Sequence, residues 1–317
     1  MFRLFLMWFA GLAGLTMQTG YAAEATVDLR AQKIGAHSYY VLGQSGPATT
    51  ANQGFMSNAG FVVTQEGVVV FDALGTPPLA SRLIAEIRKI TALPIRRVVV
   101  SHWHADHYYG LQAFKALGAE VWAHANGRAA LASDAAAARL QQRREDLSPW
   151  VDAGFRAIPA DTWLAGDTDF RLGGLTFQLR FSGPAHSAED LVMYVKEDGV
   201  LFAGDLVFRG RVPFVGEADS LAWLAALDQL LALQPRTLVP GHGAASIQPS
   251  VDLTLTRDYL RFLRSSMGRA VADFVPFDEA YSAADWRPWE KLPAFGVANR
   301  PNAYNTYLLM EQEALRK

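Results

Sequence analysis

Cysteine is absent from this chain, which excludes disulfide stapling, iron–sulfur ligation and any thiolate metal site. No run of lysine and arginine occurs, and 29 basic against 31 acidic residues leave a formal charge of −2. The electrostatic footprint of a nucleic-acid binder is therefore missing. Internal repeats, heptads and low-complexity tracts are missing too, which removes solenoids and coiled coils. What remains is a chain of 317 residues, half of them apolar, with enough material for one large core or two small ones.

The first residues read as an address. Met1-Phe2-Arg3 supplies one positive charge, and Leu4 to Met17 is apolar and uncharged. Gly20-Tyr21-Ala22 and Ala23-Glu24-Ala25 then offer the small residues that a signal peptidase reads. The pattern predicts a secretory signal peptide over residues 1–22, cleaved between Ala22 and Ala25, and a periplasmic or secreted mature protein with no stable membrane insertion. An uncleaved anchor is the alternative, disfavoured by an apolar run short of the ~20 residues of a span. Without cysteine, stability after export must come from core size and bound metal, and a metal site must be built from histidine and carboxylate.

Strand-like and helix-like segments alternate from Ala25 to about Ile247. Gly60 to Thr64 and Gly67 to Phe71 predict a hairpin, and Leu79, Leu83, Ile84, Ile87 and Ile90 recur at helical spacing behind Pro77-Pro78. Arg96 to Val100 reads as a buried strand running into a histidine cluster. Leu111 to Leu117 is a short helix, Glu120 to His124 a strand, and Asn126 to Arg144 one or two surface helices. Leu175 to Phe181 alternates with the period of a half-buried strand, and Leu191 to Val195 and Val200 to Ala203 flank a hairpin turn. Asp219 caps a helix whose expected apolar face is Leu221, Leu224, Leu227 and Leu231. Thr237 to Pro240 is the last strand of a catalytic domain over residues 23–250. Residues 251–317 read as a C-terminal helical extension, broken by Pro276, Pro288, Pro293 and Pro301. Strands grouped with helices on either side predict two mixed sheets flanked by helices, with the site along one rim.

The chemistry concentrates in His102-Trp103-His104-Ala105-Asp106-His107. Residues two apart in an extended segment point the same way, so His102 and His104 can ligate one ion. A turn after Ala105 lets Asp106 and His107 face a second, and imidazole with carboxylate suits zinc. Three distant residues complete the set. His186, Asp205 and His242 each follow an apolar strand into a glycine-containing loop. Five of the seven histidines fall into this arrangement. His37 and His124 lie outside it and read as structural.

This order of motifs resembles the metallo-β-lactamase superfamily, over about Gly35 to Ile247. The resemblance implies an αββα sandwich, with His102, His104 and His186 on a first metal, Asp106, His107 and His242 on a second, and Asp205 bridging. It also implies that Asp72, at the end of an early strand, accepts hydrogen bonds that set the histidine-rich loop. Two zinc ions (iron or manganese being possible) outweigh the two aspartates and a bridging hydroxide, leaving a net positive site that activates water and stabilises an oxyanion. The nucleophile is then metal-held hydroxide oriented by Asp106, with no side-chain nucleophile.

Within that superfamily the chain is most similar to exported zinc metallohydrolases associated with bacterial sulfur oxidation and quinoprotein dehydrogenase systems. This rests on Ser101 to His107, Gly204 to Phe208 and Asn299 to Glu313. The expected activity is hydrolysis of an ester, thioester or amide of a small-molecule substrate. β-Lactam hydrolysis, an iron-dependent persulfide dioxygenase and a metal-free binding module are the alternatives. Trp103, Tyr108 and Tyr109 either line a pocket or pack the metal loop. Phe208, Arg209, Arg211 and Phe214 are candidates for a pocket wall, with an arginine for an anionic group. Gly46 to Asn58 is either a flap or a surface loop.

Overall fold

The computed structural model describes residues 23–216 and 218–316, so the expected signal peptide lies outside the described residues. Among the described residues no helix is long and apolar enough to cross a membrane.

The first sheet has seven strands whose spatial order follows the sequence: β1 (Ala31–Lys33), β2 (Ser38–Val41), β3 (Ala59–Val63), β4 (Val68–Phe71), β5 (Ile95–Val99), β6 (Glu120–His124) and β7 (Thr162–Leu164). β1 to β4 pair antiparallel, and β4 to β7 pair parallel. Parallel neighbours need crossovers. These are α1 (Pro77–Ile90), then α2 (Ala105–Tyr108) with α3 (Leu111–Lys115), then α4 (Gly127–Leu131) with α5 (Asp134–Asp146). The second sheet is an antiparallel meander of β8 (Thr168–Leu172), β9 (Leu175–Phe181), β10 (Leu191–Val195) and β11 (Val200–Phe202). After α6 (Ser220–Ala232), β12 (Thr237–Val239) joins β11 in parallel. The chain ends in three helices joined by loops, α7 (Pro249–Ala272), which starts two residues before the expected extension, α8 (Phe277–Ala283) and α9 (Phe295–Leu315).

Alternation along the central strands explains the layering. Val68, Val70 and Val98 point to Leu79, Leu83 and Ile87 of α1, whereas Val69, Phe71 and Val99 meet Phe177, Leu179, Met193 and Phe202 of the second sheet. Strands buried on both faces must be apolar throughout, as Val68-Val69-Val70-Phe71 is. The outer face of the second sheet, through Val192, Leu201 and Leu238, packs on Trp223 and Leu227 of α6 and Leu260, Leu263 and Met267 of α7. The result is the expected αββα sandwich, two mixed sheets between helices.

Three readings change. β1, β2, β7 and β8 escape a periodicity search because each mixes polar with apolar side chains over three to five residues, with neither an apolar run nor a sustained alternation. The buried face of α6 is Trp223, Ala226, Leu227 and Leu230, and Leu221 is 57% exposed. Asp219 accepts from Leu221 N and Ala222 N and sets the first turn, while the Trp223 indole donates to Leu206 O at 3.0 Å. The larger apolar area of the tryptophan decides which face turns inward. Pro301 lies inside α9 and does not end it. Both Pro301 and Val297, whose carbonyl loses its helical partner, are exposed, so water can replace the missing bond.

Phe202 fills the space between the sheets, 1% exposed, beside Phe71 at 5.7 Å between ring centroids. Phe202→Ala should cost about 3–5 kcal/mol, read as a lowered denaturant midpoint of the metal-free protein; an unchanged midpoint would mean that the inter-sheet core repacks freely.

Candidate metal centre

The strands deliver the site. β5 leads into His102 to His107, β9 precedes the loop of His186, β11 ends at a 3-10 turn carrying Asp205, and β12 ends just before His242. All seven predicted ligand residues come together along one rim. They form two groups, His102, His104, His186 and Asp205, and Asp106, His107 and His242, with the donor atoms of each group within 4.8 Å of one another.

In the first group, His104 Nδ1 is 3.0 Å from both His102 Nε2 and His186 Nε2. Asp205 Oδ2 lies 3.8 Å from His102 Nε2 and 3.5 Å from His186 Nε2. The other oxygen of the same carboxylate turns the opposite way: Asp205 Oδ1 is 3.1 Å from His107 Nε2 and 3.3 Å from His242 Nε2. Asp106 Oδ2 completes that group, 3.4 Å from His107 Nε2 and 3.3 Å from His242 Nε2. Four donors about 2.0–2.1 Å from a tetrahedral zinc stand roughly 3.3 Å apart, and the contacts here run from 3.0 to 3.8 Å around that value. His107 Nε2 and Asp205 Oδ1 are buried and in reach, yet neither makes a hydrogen bond. Each is aimed past the other, as donors sharing a third atom are. The residues fit a pair of cations.

Electrostatics points the same way. Burial, with His107 and His104 nearby, drives His102 well below its ordinary pKa. Burial and His186 do the same to His104, and burial brings His186 down to about 4, so these imidazoles keep free lone pairs. Burial would push the Asp205 and Asp106 carboxyls up, but His107 and His242 hold both well below the carboxylate range. Burial is likewise overcome at His107 and His242, raised by Asp205 and Asp106.

Supporting contacts fix the rings. Asp72, with φ 63° at the end of β4, accepts from Ser101 N at 2.7 Å and Ser101 Oγ at 2.8 Å. Ser101 Oγ in turn meets His102 Nδ1 at 2.9 Å, and Asp72 Oδ2 also takes His107 Nδ1 at 2.8 Å. One carboxylate thereby orients a ligand of each group. Asp72 touches neither cation position directly, so its part is positional. His242 Nδ1 donates to Met56 O at 2.7 Å, and Phe208 stacks flat on the His242 ring. Trp223 packs edge-on against His186. Ser101, Met56 and Trp223 carry no signal in the sequence beyond lying near or across from the ligands. Gly241 is demanded by sterics: a Cβ there would sit 2.0 Å from Asp205 Oδ1.

The remaining candidates separate cleanly. Trp103, Tyr108 and Tyr109 are buried and stack on one another and on Trp163 and Phe155, so they chiefly pack the metal loop. His37 pairs with Asp198 at 2.9 Å, and His124 stacks on Phe181. Arg209 is turned away into an ion pair with Asp252 at 2.7 Å. Arg211 is buried beside His242, 3.3 Å from its Nδ1. Phe214, 41% exposed, lies edge-on to His104 and is held by its neighbours, since Asn302 of α9 binds both Pro213 O and Val215 N. The stretch 46–58 is a packed wall: Asn52, Phe55, Ser57 and Asn58 are buried, and Pro47, Ala48 and Met56 face the site.

Two cavities meet at the metal ligands. One of about 210 Å³ opens on Asp106, Asp205 and His242, with Arg139, Arg143 and Arg211 in its walls. The other, about 500 Å³, opens on His104 and His186 and includes Glu189 and Asp219. His104, Arg139 and Phe214 border both.

The sequence model of the metallo-β-lactamase superfamily matches residues 52–242, more than half of the chain, and the protein belongs to that superfamily of metal-dependent hydrolases. It is 25% identical to a linear primary-alkylsulfatase of a Pseudomonas species, over 64% of this chain and 45% of that protein. It is also 25% identical to a type 2 metallo-β-lactamase of Elizabethkingia meningoseptica, over 79% of this chain and 93% of the other. The structure of the inverting sec-alkylsulfatase Pisa1 from Pseudomonas superposes with a TM-score of 0.64 at 18% identity, covering 89% of this chain and 50% of that one. The chain thus spans about half the length of the alkylsulfatases it matches.

Gly241→Ala should displace the Asp205 carboxylate and lower the metal content of the purified protein below that of the parent, and full loading would show that the loop yields. Asp72→Ala should weaken metal binding about 10–100-fold, measured by competition with a chromophoric chelator; parental affinity would remove its positioning role.

Proposed function

We propose that the protein is an exported dinuclear zinc hydrolase that cleaves an ester, thioester or amide of a small molecule. The observation that carries this reading is the Asp205 carboxylate, one oxygen turned to His102 and His186 and the other to His107 and His242. When bound, two zinc ions supply Lewis acidity and lower the pKa of water. Asp106, on α2 and in the wall of the small cavity, would help to hold the second ion and orient a water beside it. His102, His107 and His242 have their rings set by Ser101, Asp72 and Met56 O, and with His104 and His186 they would hold the cations. Phe214 and the packed stretch 46–58 limit solvent at the reacting centre.

The amino-terminal segment supports export, and the cysteine-free ligand set is compatible with an oxidising compartment. The motifs around Ser101, Gly204 and Asn299 favour the exported metallohydrolases associated with sulfur oxidation and quinoprotein dehydrogenases. The matched alkylsulfatases favour a second reading, in which the ester is a sulfate ester.

Protein purified from its own compartment without added metal should hold about two zinc ions per chain. Chelation should lower its melting temperature and abolish hydrolysis of thioester, ester, β-lactam and alkyl sulfate probes together. Asp205→Ala should keep at most one ion. About one iron with oxygen uptake on a persulfide would replace the hydrolase by an oxygenase, and a protein that holds no metal would sink the mechanism.

A further inference from the structure

Resting on that reading of the metal centre, we infer that the small cavity is an oxyanion subsite built by Arg139, Arg143 and Arg211, and that the substrate lies across the metals with its anionic end there. Arg211 is 4% exposed, and its guanidinium reaches Gly46 O at 3.1 Å, Val212 O at 3.4 Å, the His242 ring and the face of Phe208 at 5.8 Å, none of them an anion. Among the described residues no carboxylate forms an ion pair with it. Buried arginines are normally paired, because desolvating an unmatched charge is costly. Arg139 has no hydrogen bond or ion pair among the described residues, and Arg143 has only Asp146 at 3.9 Å.

Arg139 and Arg143 are one turn apart on α5, so they project from the same face. That helix rests on the core through Leu140 and has no fully buried residue, and Arg139 and Arg143 are half-buried on the side toward the cavity. Its inner face presents cations to the cavity. The acidic residues in the walls are Asp106 and Asp205, both committed to the metal positions. Three guanidiniums over a cationic centre repel one another unless an anion enters. Guanidinium matches the oxygens of carboxylate, sulfate or phosphate through paired charge-assisted bonds.

The larger cavity differs. It shares only Arg139 with the cluster and adds Glu189 and Asp219, so it carries no excess of positive charge. The two cavities therefore orient a substrate: the oxyanion over Asp106 and His242, and the bulkier uncharged portion over His104 and His186. Glu189, which accepts from Trp103 N at 3.1 Å, is part of that second wall.

The experiment is calorimetric titration of sulfate and of succinate into zinc-loaded protein, with succinamide as the uncharged control. The same titrations are repeated on metal-free protein, and metal content is measured on every sample. Sulfate and succinate should bind the parent and succinamide should not. Arg139→Gln/Arg143→Gln should bind both anions at least tenfold more weakly at unchanged metal content, and Arg139→Lys/Arg143→Lys should recover part of the loss. Because α5 is exposed, a remote exposed variant, Arg300→Gln, serves as the control and should bind as the parent does. Parental anion affinity in the glutamine variant would overturn the subsite and leave the metals as the only anchor; equal binding of succinamide, or no anion binding by the parent, would overturn it as well. Loss of metal in the parent would instead strike the dinuclear reading, while the metal-free titration still reports on the arginines.

Discussion

The carboxylate of Asp205 holds the two halves of this site to one another. Its oxygens face opposite triads, and each triad arrives on different strands: His102 and His104 after β5, His186 after β9, His242 after β12. A group with that duty tolerates little displacement. β11 is accordingly buried along its whole length, Gly204 takes a left-handed φ of 52° to turn the chain, and Gly241 leaves the space that the carboxylate fills. The two-sheet core can be read as the scaffold that keeps those three loops in register, with Phe202 packed between the sheets just before the turn.

Two outer interactions make the site rigid. Asp72 links Ser101, His102 and His107, so the residue that follows β4 orients a member of each ligand group. The C-terminal extension acts at a greater distance: Asn302 on α9 binds the backbone on either side of Phe214, and Val297 and Ala298 of the same helix border the small cavity. The helices beyond β12 thereby shape the substrate space as well as burying the outer face of the second sheet. The cavity wall and the ligand set are joined directly, since Met56 O, which accepts from His242 Nδ1, belongs to the packed stretch 46–58.

The site was legible in the sequence because metal chemistry admits few residue types. With no cysteine, only histidine and carboxylate remain, and their order along the chain with strand-to-glycine contexts was enough to single out all seven residues that the structure gathers. The cavity was not legible to the same degree. Arg139 and Arg143 look like ordinary cations of a solvated helix, and only its placement beside Asp106, Asp205 and His242 gives them a cavity to face. Phe208 and Arg209 sit beside Arg211 in sequence, yet one is a stacking partner under His242 and the other is committed to Asp252.

Local rules determined the elements that are long or strongly patterned: the β3–β4 hairpin, α1 behind its two prolines, β9 with its alternation, and the metal motif itself. These depend on hydrogen bonds and periodicities within a few residues, which a chain carries in its own order. Tertiary structure decided the short strands β1, β2, β7 and β8, which gain their stability from neighbours already in place. It decided the rotation of α6, where burying Trp223 against His186 outweighs a stripe of leucines. It also decided which arginines line the small cavity, because the position of a charge relative to a distant loop follows from packing, and no local pattern encodes it.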